Sequence, residues 1–219
     1  MLERLVELDG KQALDIGCGS GGLVRELTRR GAAAVGLEIT EQQLAGARER
    51  GGGSYLVGRA QALPVADATF DLAVFMRTLH HVPPNDLVPA LREARRVLRP
   101  DGVVYVVEPL TEGDFFALTR LIDDELEVRE AAQRALADAA LAGLERVTTI
   151  EYDVRFCIAG LAALRALVVS VDAGRAALFD AQEARLAELF GTLGEPGAQS
   201  CERCFTEPMR ADVLRLAGV

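Results

Sequence analysis

The chain has 219 residues, half of them hydrophobic and about a quarter charged, the balance of a globular protein with material for a substantial core. Its 24 basic and 33 acidic side chains leave a formal net charge of −9, which argues against a role in gripping nucleic acid. No apolar run approaches the roughly 18 residues of a membrane span, so no stable membrane insertion is expected. Met-Leu-Glu-Arg-Leu does not open like a signal peptide, and the expected location is cytoplasmic. Cys18, Cys157, Cys201 and Cys204 are too few for a disulfide framework. With only His80 and His81 beside them, no metal site is expected, and reduced thiols are.

In chain order, Leu2, Leu5, Val6 and Leu8 predict a short amphipathic helix over 2–8. A buried strand follows at 12–16, then a helix over 21–30 and a second strand at 32–38. Thr40, with Gln43 three residues on, predicts the N-cap of a helix that stops at Gly51-Gly52-Gly53. Strands are expected at 54–58, 70–76 and 103–108, with a helix through Leu87, Leu91, Ala94 and Val97 before the last of these. Beyond Pro109 the helical stretches 111–142 and 159–192 flank an alternating strand at 146–156, and a final strand is expected at 200–206 after a turn at 194–197. The regular alternation predicts an α/β fold, a doubly wound, mostly parallel seven-stranded sheet. The two helical stretches, one after strand five and one between strands six and seven, are expected to form a helical cap on a single domain whose residues 1–110 are the cofactor-binding core.

Residues 14–22, Leu-Asp-Ile-Gly-Cys-Gly-Ser-Gly-Gly, carry most of the functional information. A strand that ends in an acid, turns through glycines and enters a helix presents backbone N–H groups to an adenosine-containing ligand. The glycine spacing fits both G-x-G-x-x-G and G-x-G-x-G. Asp15 beside the turn would repel a pyrophosphate and suits an ammonium or sulfonium group, which weakens a dinucleotide reading. Glu38 closes the second strand about 20 residues later, where an acid accepts from a ribose diol in either class of cofactor. Asp15, Glu38, Arg59, Met76 and Glu108 all fall at or near C-terminal strand ends, the edge at which parallel sheets bind ligands.

Three further stretches decide between the classes: Gly58–Phe75 with its Ala-Leu-Pro and Phe-Asp pairs, Leu79-His-His-Val, and Leu98-Arg-Pro-Asp-Gly-Val-Val. Together with the glycine turn they resemble, over roughly residues 10–109, the type-11 branch of the class I S-adenosylmethionine-dependent methyltransferases, which includes the ubiquinone/menaquinone C-methyltransferases. The resemblance implies a Rossmann-like methyltransferase fold with an antiparallel last strand, and S-adenosyl-L-methionine as cofactor with S-adenosyl-L-homocysteine as product. It assigns Asp15, Gly17 and Gly19 to the methionine part, Glu38 to the ribose, and Ile39 with Ala60, Gln61 and Ala62 to the adenine. Cys18, Phe75 and Met76 complete the candidate cofactor-binding set. Arg59 stands where the family has an acid that accepts from the adenine amino group. Arginine cannot accept, so Gln61 or a backbone carbonyl is expected to do so.

The expected function is methyl transfer to a small-molecule acceptor by in-line displacement, through positioning and desolvation. A protein that binds the cofactor or its product without turnover is the alternative, with an NAD(P)-dependent oxidoreductase behind it. His81 and Glu108 are the candidate catalytic groups. For the histidine pair a packing or loop-orienting role competes with that of a base, and for Glu108 a salt bridge competes with substrate contact. Arg77, His80, Phe115 and Phe116 are the candidate substrate-binding residues, the two phenylalanines doubling as candidates for core.

Overall fold

The computed structural model describes residues 7–199 and 202–218. The helix expected over 2–8 lies outside them but for Glu7 and Leu8. The chain divides into two compact units. One comprises Met1–Glu108, Ala131–Ile150 and Arg210–Val219; the other comprises Pro109–Glu130 and Glu151–Met209.

In the first unit, β1 (Gln12–Ile16), α1 (Gly22–Arg29), β2 (Ala33–Glu38), α2 (Glu41–Arg50), β3 (Ser54–Val57), β4 (Phe70–Met76), α3 (Leu87–Val97) and β5 (Leu98–Pro109) follow one another much as the periodicity predicts. Pairs β1–β2, β1–β4, β2–β3 and β4–β5 are all parallel. Ala13, Leu14, Asp15 and Ile16 are all buried, because a central parallel strand is covered on both faces. Thr40 caps α2 as expected, its hydroxyl oxygen accepting from Gln43 N at 3.2 Å. β5 begins at Leu98, earlier than the expected Val103. Phe70 pairs with Leu98 and Leu72 with Val103, so the Arg-Pro-Asp-Gly turn is carried as a bulge within the strand.

The remaining elements are α4 (Asp114–Thr119), α5 (Leu126–Ala137), β6 (Leu144–Ala159), α6 (Leu161–Val171), α7 (Arg175–Thr192), β7 (Glu195–Pro196) and β8 (Glu202–Leu216). Across the sheet the strand order is β3-β2-β1-β4-β5-β8-β6, with β7 on β8. The sheet is therefore the expected α/β one, with an eighth, two-residue strand. β7 lies where only a turn was expected and pairs antiparallel, Glu195 with Cys204 and Pro196 with Arg203. β8 runs ten residues past the expected Thr206, and its residues Ala211–Leu214 are all buried.

The stretch 111–142 is not one piece of cap. Ala132, Ala135, Leu136, Ala139 and Ala142 pack in the core of the first unit with Leu91, Ala94 and Val97. Small side chains on that face permit close approach of helices. The second unit has its own core, in which Phe115, Leu118, Ile122, Leu164, Val168, Phe179, Leu186, Phe190 and Phe205 meet. The thiol expectation needs correction here: Cys157 and Cys204 form a disulfide, and Cys18 is a free, buried cysteine. Neighbouring strands β6 and β8 bring the pair together, whereas Cys201, the C-x-x-C partner of Cys204, lies outside the described residues. Among the described residues no helix is long and apolar enough to cross a membrane.

Candidate active site

The first unit gathers the cofactor candidates at the C-terminal ends of β1, β2 and β4. Gly17 N and Cys18 N donate to the Leu37 carbonyl at 2.8 and 3.0 Å, which draws the glycine turn over the end of β2. Gly17 has φ 78°, and a Cβ there would strike the Thr78 side chain. Gly19, at φ 50°, has nothing within 4 Å of where its Cβ would be. The two glycines thus serve different ends: Gly17 allows the turn to pack on the next loop, and Gly19 leaves open space at the mouth of α1.

Asp15 is 2% exposed, and its Oδ1 forms no hydrogen bond. Burial, and then the charge of Glu38, pushes its carboxyl up from 3.8 to about 7. Such a group lacks a cation, and an ammonium is the partner its chemistry fits. Glu38 ties two strand-end segments together: Oε1 accepts from Gly19 N and Oε2 from Ile39 N, both at 2.9 Å. A carboxylate has about four lone-pair positions, so both oxygens retain capacity for a diol. Ile39 is 57% exposed directly beside it, an apolar surface suited to a base.

Along 59–62 Ala60 is buried, Ala62 is exposed and Arg59 is exposed, and Ala62 N closes a tight turn onto the Arg59 carbonyl at 3.0 Å. Gln61 Nε2 donates to Asp86 Oδ2 at 2.9 Å. That bond orients the amide so that Oε1, the atom able to accept, is the one left over. Two members of the set are packed away from solvent. Phe75 is wholly buried in the first unit's core, because β4, like β1, is covered on both faces, and only Met76 at the strand end is half-buried. Cys18 is buried where a side chain on Gly36 would strike its sulfur, and burial followed by Asp15 and Glu38 pushes its thiol up to about 12.

Beyond β4 the chain makes a fixed loop. Arg77 has a positive φ of 57°, unusual for a residue with a side chain, and its N donates to the Val107 carbonyl at 2.7 Å. Glu108, 1% exposed at the end of β5, accepts from Thr78 N at 3.0 Å, Leu79 N at 2.8 Å and His80 N at 3.3 Å, and is also bonded to His80 Nδ1. Thr78 Oγ1 in turn donates to the Gly17 carbonyl at 3.3 Å, joining this loop to the glycine turn. His80 is buried and His81 exposed, their rings 4.0 Å apart. Sequence reasoning missed Thr78 and Asp86 entirely; neither carries a motif, and only the folded register brings them to Gly17 and Gln61.

Phe115 and Phe116 belong to the second unit and pack within it. Phe115 stacks on Phe156 at 4.8 Å, and Phe116 lies under the guanidinium groups of Arg129 and Arg120 at 4.9 and 5.5 Å.

An open glycine turn, a buried carboxylate oxygen without a hydrogen bond and a second acid at the end of β2 thus meet at one edge of the parallel sheet. Residues 14–106 match the methyltransferase-domain family. The chain is 34% identical over 143 residues to the 27-O-demethylrifamycin SV methyltransferase of Amycolatopsis mediterranei, covering 60% of this chain and 50% of that one. It is 30% identical over 145 residues to the fatty-acid O-methyltransferase of Mycolicibacterium smegmatis, covering 64% and 52%. It thus spans about half the length of the curated relatives it matches. The solved YcgJ protein of Bacillus subtilis has the same fold, with a TM-score of 0.68 at 17% identity over 99% of this chain and 97% of that one.

Proposed function

We propose that the chain transfers a methyl group from S-adenosylmethionine to an oxygen of a small organic acceptor, leaving S-adenosylhomocysteine. The observation that carries this reading is the buried Asp15 oxygen without a hydrogen bond beside the glycine turn, within the methyltransferase domain. S-adenosylmethionine supplies an already activated methyl group, so the chain's task is to bind, align and exclude water. Asp15 binds the ammonium of the methionine part, Glu38 the ribose, and Ile39 with Gln61 Oε1 the adenine.

On the acceptor side, His81 is the candidate base, because it is exposed while His80 is held by Glu108. Glu108 is a positioning residue. Its oxygens already accept from three backbone N–H groups, so it holds the loop that presents His81. A hydroxyl acceptor needs such a base and a carboxylate acceptor does not. An oxygen acceptor is supported by the names of the relatives given above, one a fatty-acid O-methyltransferase and the other a methyltransferase of 27-O-demethylrifamycin SV.

Isotope-labelled S-adenosylmethionine, offered with a panel of hydroxyl, carboxyl, amine and thiol compounds and read by mass spectrometry, tests this. Label on an oxygen acceptor is expected. Transfer only to nitrogen or sulfur overturns the acceptor class, and binding of S-adenosylhomocysteine without transfer to any acceptor overturns turnover. Calorimetry in which NAD binds more tightly than S-adenosylhomocysteine overturns the cofactor.

A further inference from the structure

The second unit contains a covalent feature that methyl transfer does not use. The Cys157–Cys204 bond joins β6 to β8 across a sequence separation of 47 residues, and the segment it closes contains α6, α7 and β7. Its two ends differ: Cys157 is exposed and Cys204 is 4% exposed. Each cysteine adjoins the second unit's core, Ile158 following one and Phe205 the other, and α6 and α7 contribute Leu164, Val168, Phe179 and Leu186 to that same core. Cys201 is a third cysteine in the sequence of this unit. Cys18, buried in the first unit with its thiol pushed up to about 12, remains protonated and unreactive.

We propose that the Cys157–Cys204 disulfide is a thiol-exchange site, opened from its exposed Cys157 end by small-molecule thiols, and that it sets the order of the α6–α7 hairpin. A thiolate attacks Cys157 Sγ. A sulfur–sulfur bond forms between the reagent and Cys157, the bond to Cys204 breaks, and its electron pair leaves on the Cys204 sulfur, which takes up a proton. A second thiolate then attacks the reagent's sulfur, releasing Cys157 and a reagent disulfide. In total two thiols are oxidised to one disulfide, and the protein's disulfide is reduced to two thiols. Burial of Cys204 closes the opposite direction of attack. Opening the bridge removes a long-loop constraint from the segment that carries both helices, while the first unit has no cysteine in the bond. This inference does not depend on which acceptor the protein methylates.

The test uses full-length protein purified without reductant, both native and as C201S, with glutathione as the probe. Alkylation of the unfolded but unreduced chain should modify Cys18 and spare Cys157 and Cys204. Limiting glutathione should leave its mixed disulfide on Cys157. Full reduction should speed amide exchange across 161–192 by at least about tenfold, with 12–108 unchanged. Free Cys157 and Cys204 before reduction, or a native Cys201–Cys204 link, overturns the bond. A first adduct on Cys204 overturns the direction of attack. Equal exchange across 161–192 in both redox states, or equal loss over 12–108, overturns the local control. If C201S does not fold, the native chain supplies the same three readouts by peptide mapping.

Discussion

Glu38 and Glu108 of the first unit and Glu125 of the second use their oxygens differently. In the first, Glu38 and Glu108 accept backbone N–H groups of the loops at strand ends. In the second, Glu125 accepts from Arg129 at 2.8 and 3.0 Å, while the same guanidinium donates to the Leu110 carbonyl at 3.0 Å and lies 3.6 Å from Glu207. A carboxylate bonded to main-chain N–H groups fixes the path of a loop, which a cofactor site requires. A guanidinium shared between acids and an aromatic ring fastens side chains to one another and closes a small core. The first arrangement preorganises chemistry, and the second holds a unit together.

The largest test of that difference is Glu108→Ala. It strips the acceptor from three backbone N–H groups and from His80, and should cost about 4 kcal/mol in urea unfolding. Glu108→Gln keeps one acceptor oxygen and should recover about half of that. Glu125→Ala in the second unit should cost about 1–2 kcal/mol, since its partner retains other acceptors. Equal losses for the Glu108 and Glu125 variants would erase the distinction. Next in size, Glu38→Ala should weaken S-adenosylhomocysteine binding by about 1.5–3 kcal/mol in calorimetry, because the proposed ribose acceptor and the tie to Gly19 go together. An unchanged dissociation constant would remove Glu38 from the site.

The first unit could be read from sequence because its demands are local. A strand that must turn through positive φ needs Gly17 and Gly19, and an acid at the end of β2 stands out against a buried strand. Glu108 could be located but not interpreted, since a strand-end glutamate looks the same whether it faces water, substrate or backbone N–H groups 30 residues earlier. The burial of Phe75 could not be read from sequence, because β4 is covered on both faces and period-two alternation carries no information there. The second unit resists for a different reason. Alanine marks neither face of α5, so sequence could not say that Ala132 and Ala135 pack with the first unit. C-x-x-C spacing drew attention to Cys201 and Cys204, while the bond to Cys157 depends on strand neighbourhood across 47 residues.

Asp15 sharpens the comparison through pH. Its folded carboxyl, near 7, lies above the usual 3.8, so its contribution to the stability of the cofactor-free protein is full below about pH 4 and is lost as pH rises through about 7. Under the proposed contact between Asp15 and the cofactor's ammonium, binding should have the opposite slope, because the ionised carboxylate is the form that meets a cation. Affinity for S-adenosylhomocysteine should rise roughly 30-fold between about pH 5.5 and about pH 8.5, a difference of about 2 kcal/mol. Asp15→Asn should bind weakly and without that slope. A slope that survives in the asparagine variant would have to come from another group.

The smallest expected effect separates two neighbours on the adenine segment. Gln61 is oriented by Asp86 and keeps Oε1 to accept from an amino group, whereas Arg59 is exposed and has only donors. Gln61→Ala should therefore weaken S-adenosylhomocysteine binding by about 1 kcal/mol, the net worth of one neutral hydrogen bond. Asp86→Ala should reproduce part of that loss without touching the ligand, since it frees the amide to turn. Arg59→Ala should change affinity by less than about 0.5 kcal/mol, as surface substitutions usually do. Replacing adenosine by inosine in the ligand gives the direct control, because the amino group is then gone. With that ligand, native protein and Gln61→Ala should bind alike. If Arg59→Ala costs more than Gln61→Ala with the adenosine ligand, the acceptor is not the Gln61 amide, and the adenine is held from the Arg59 side of the turn.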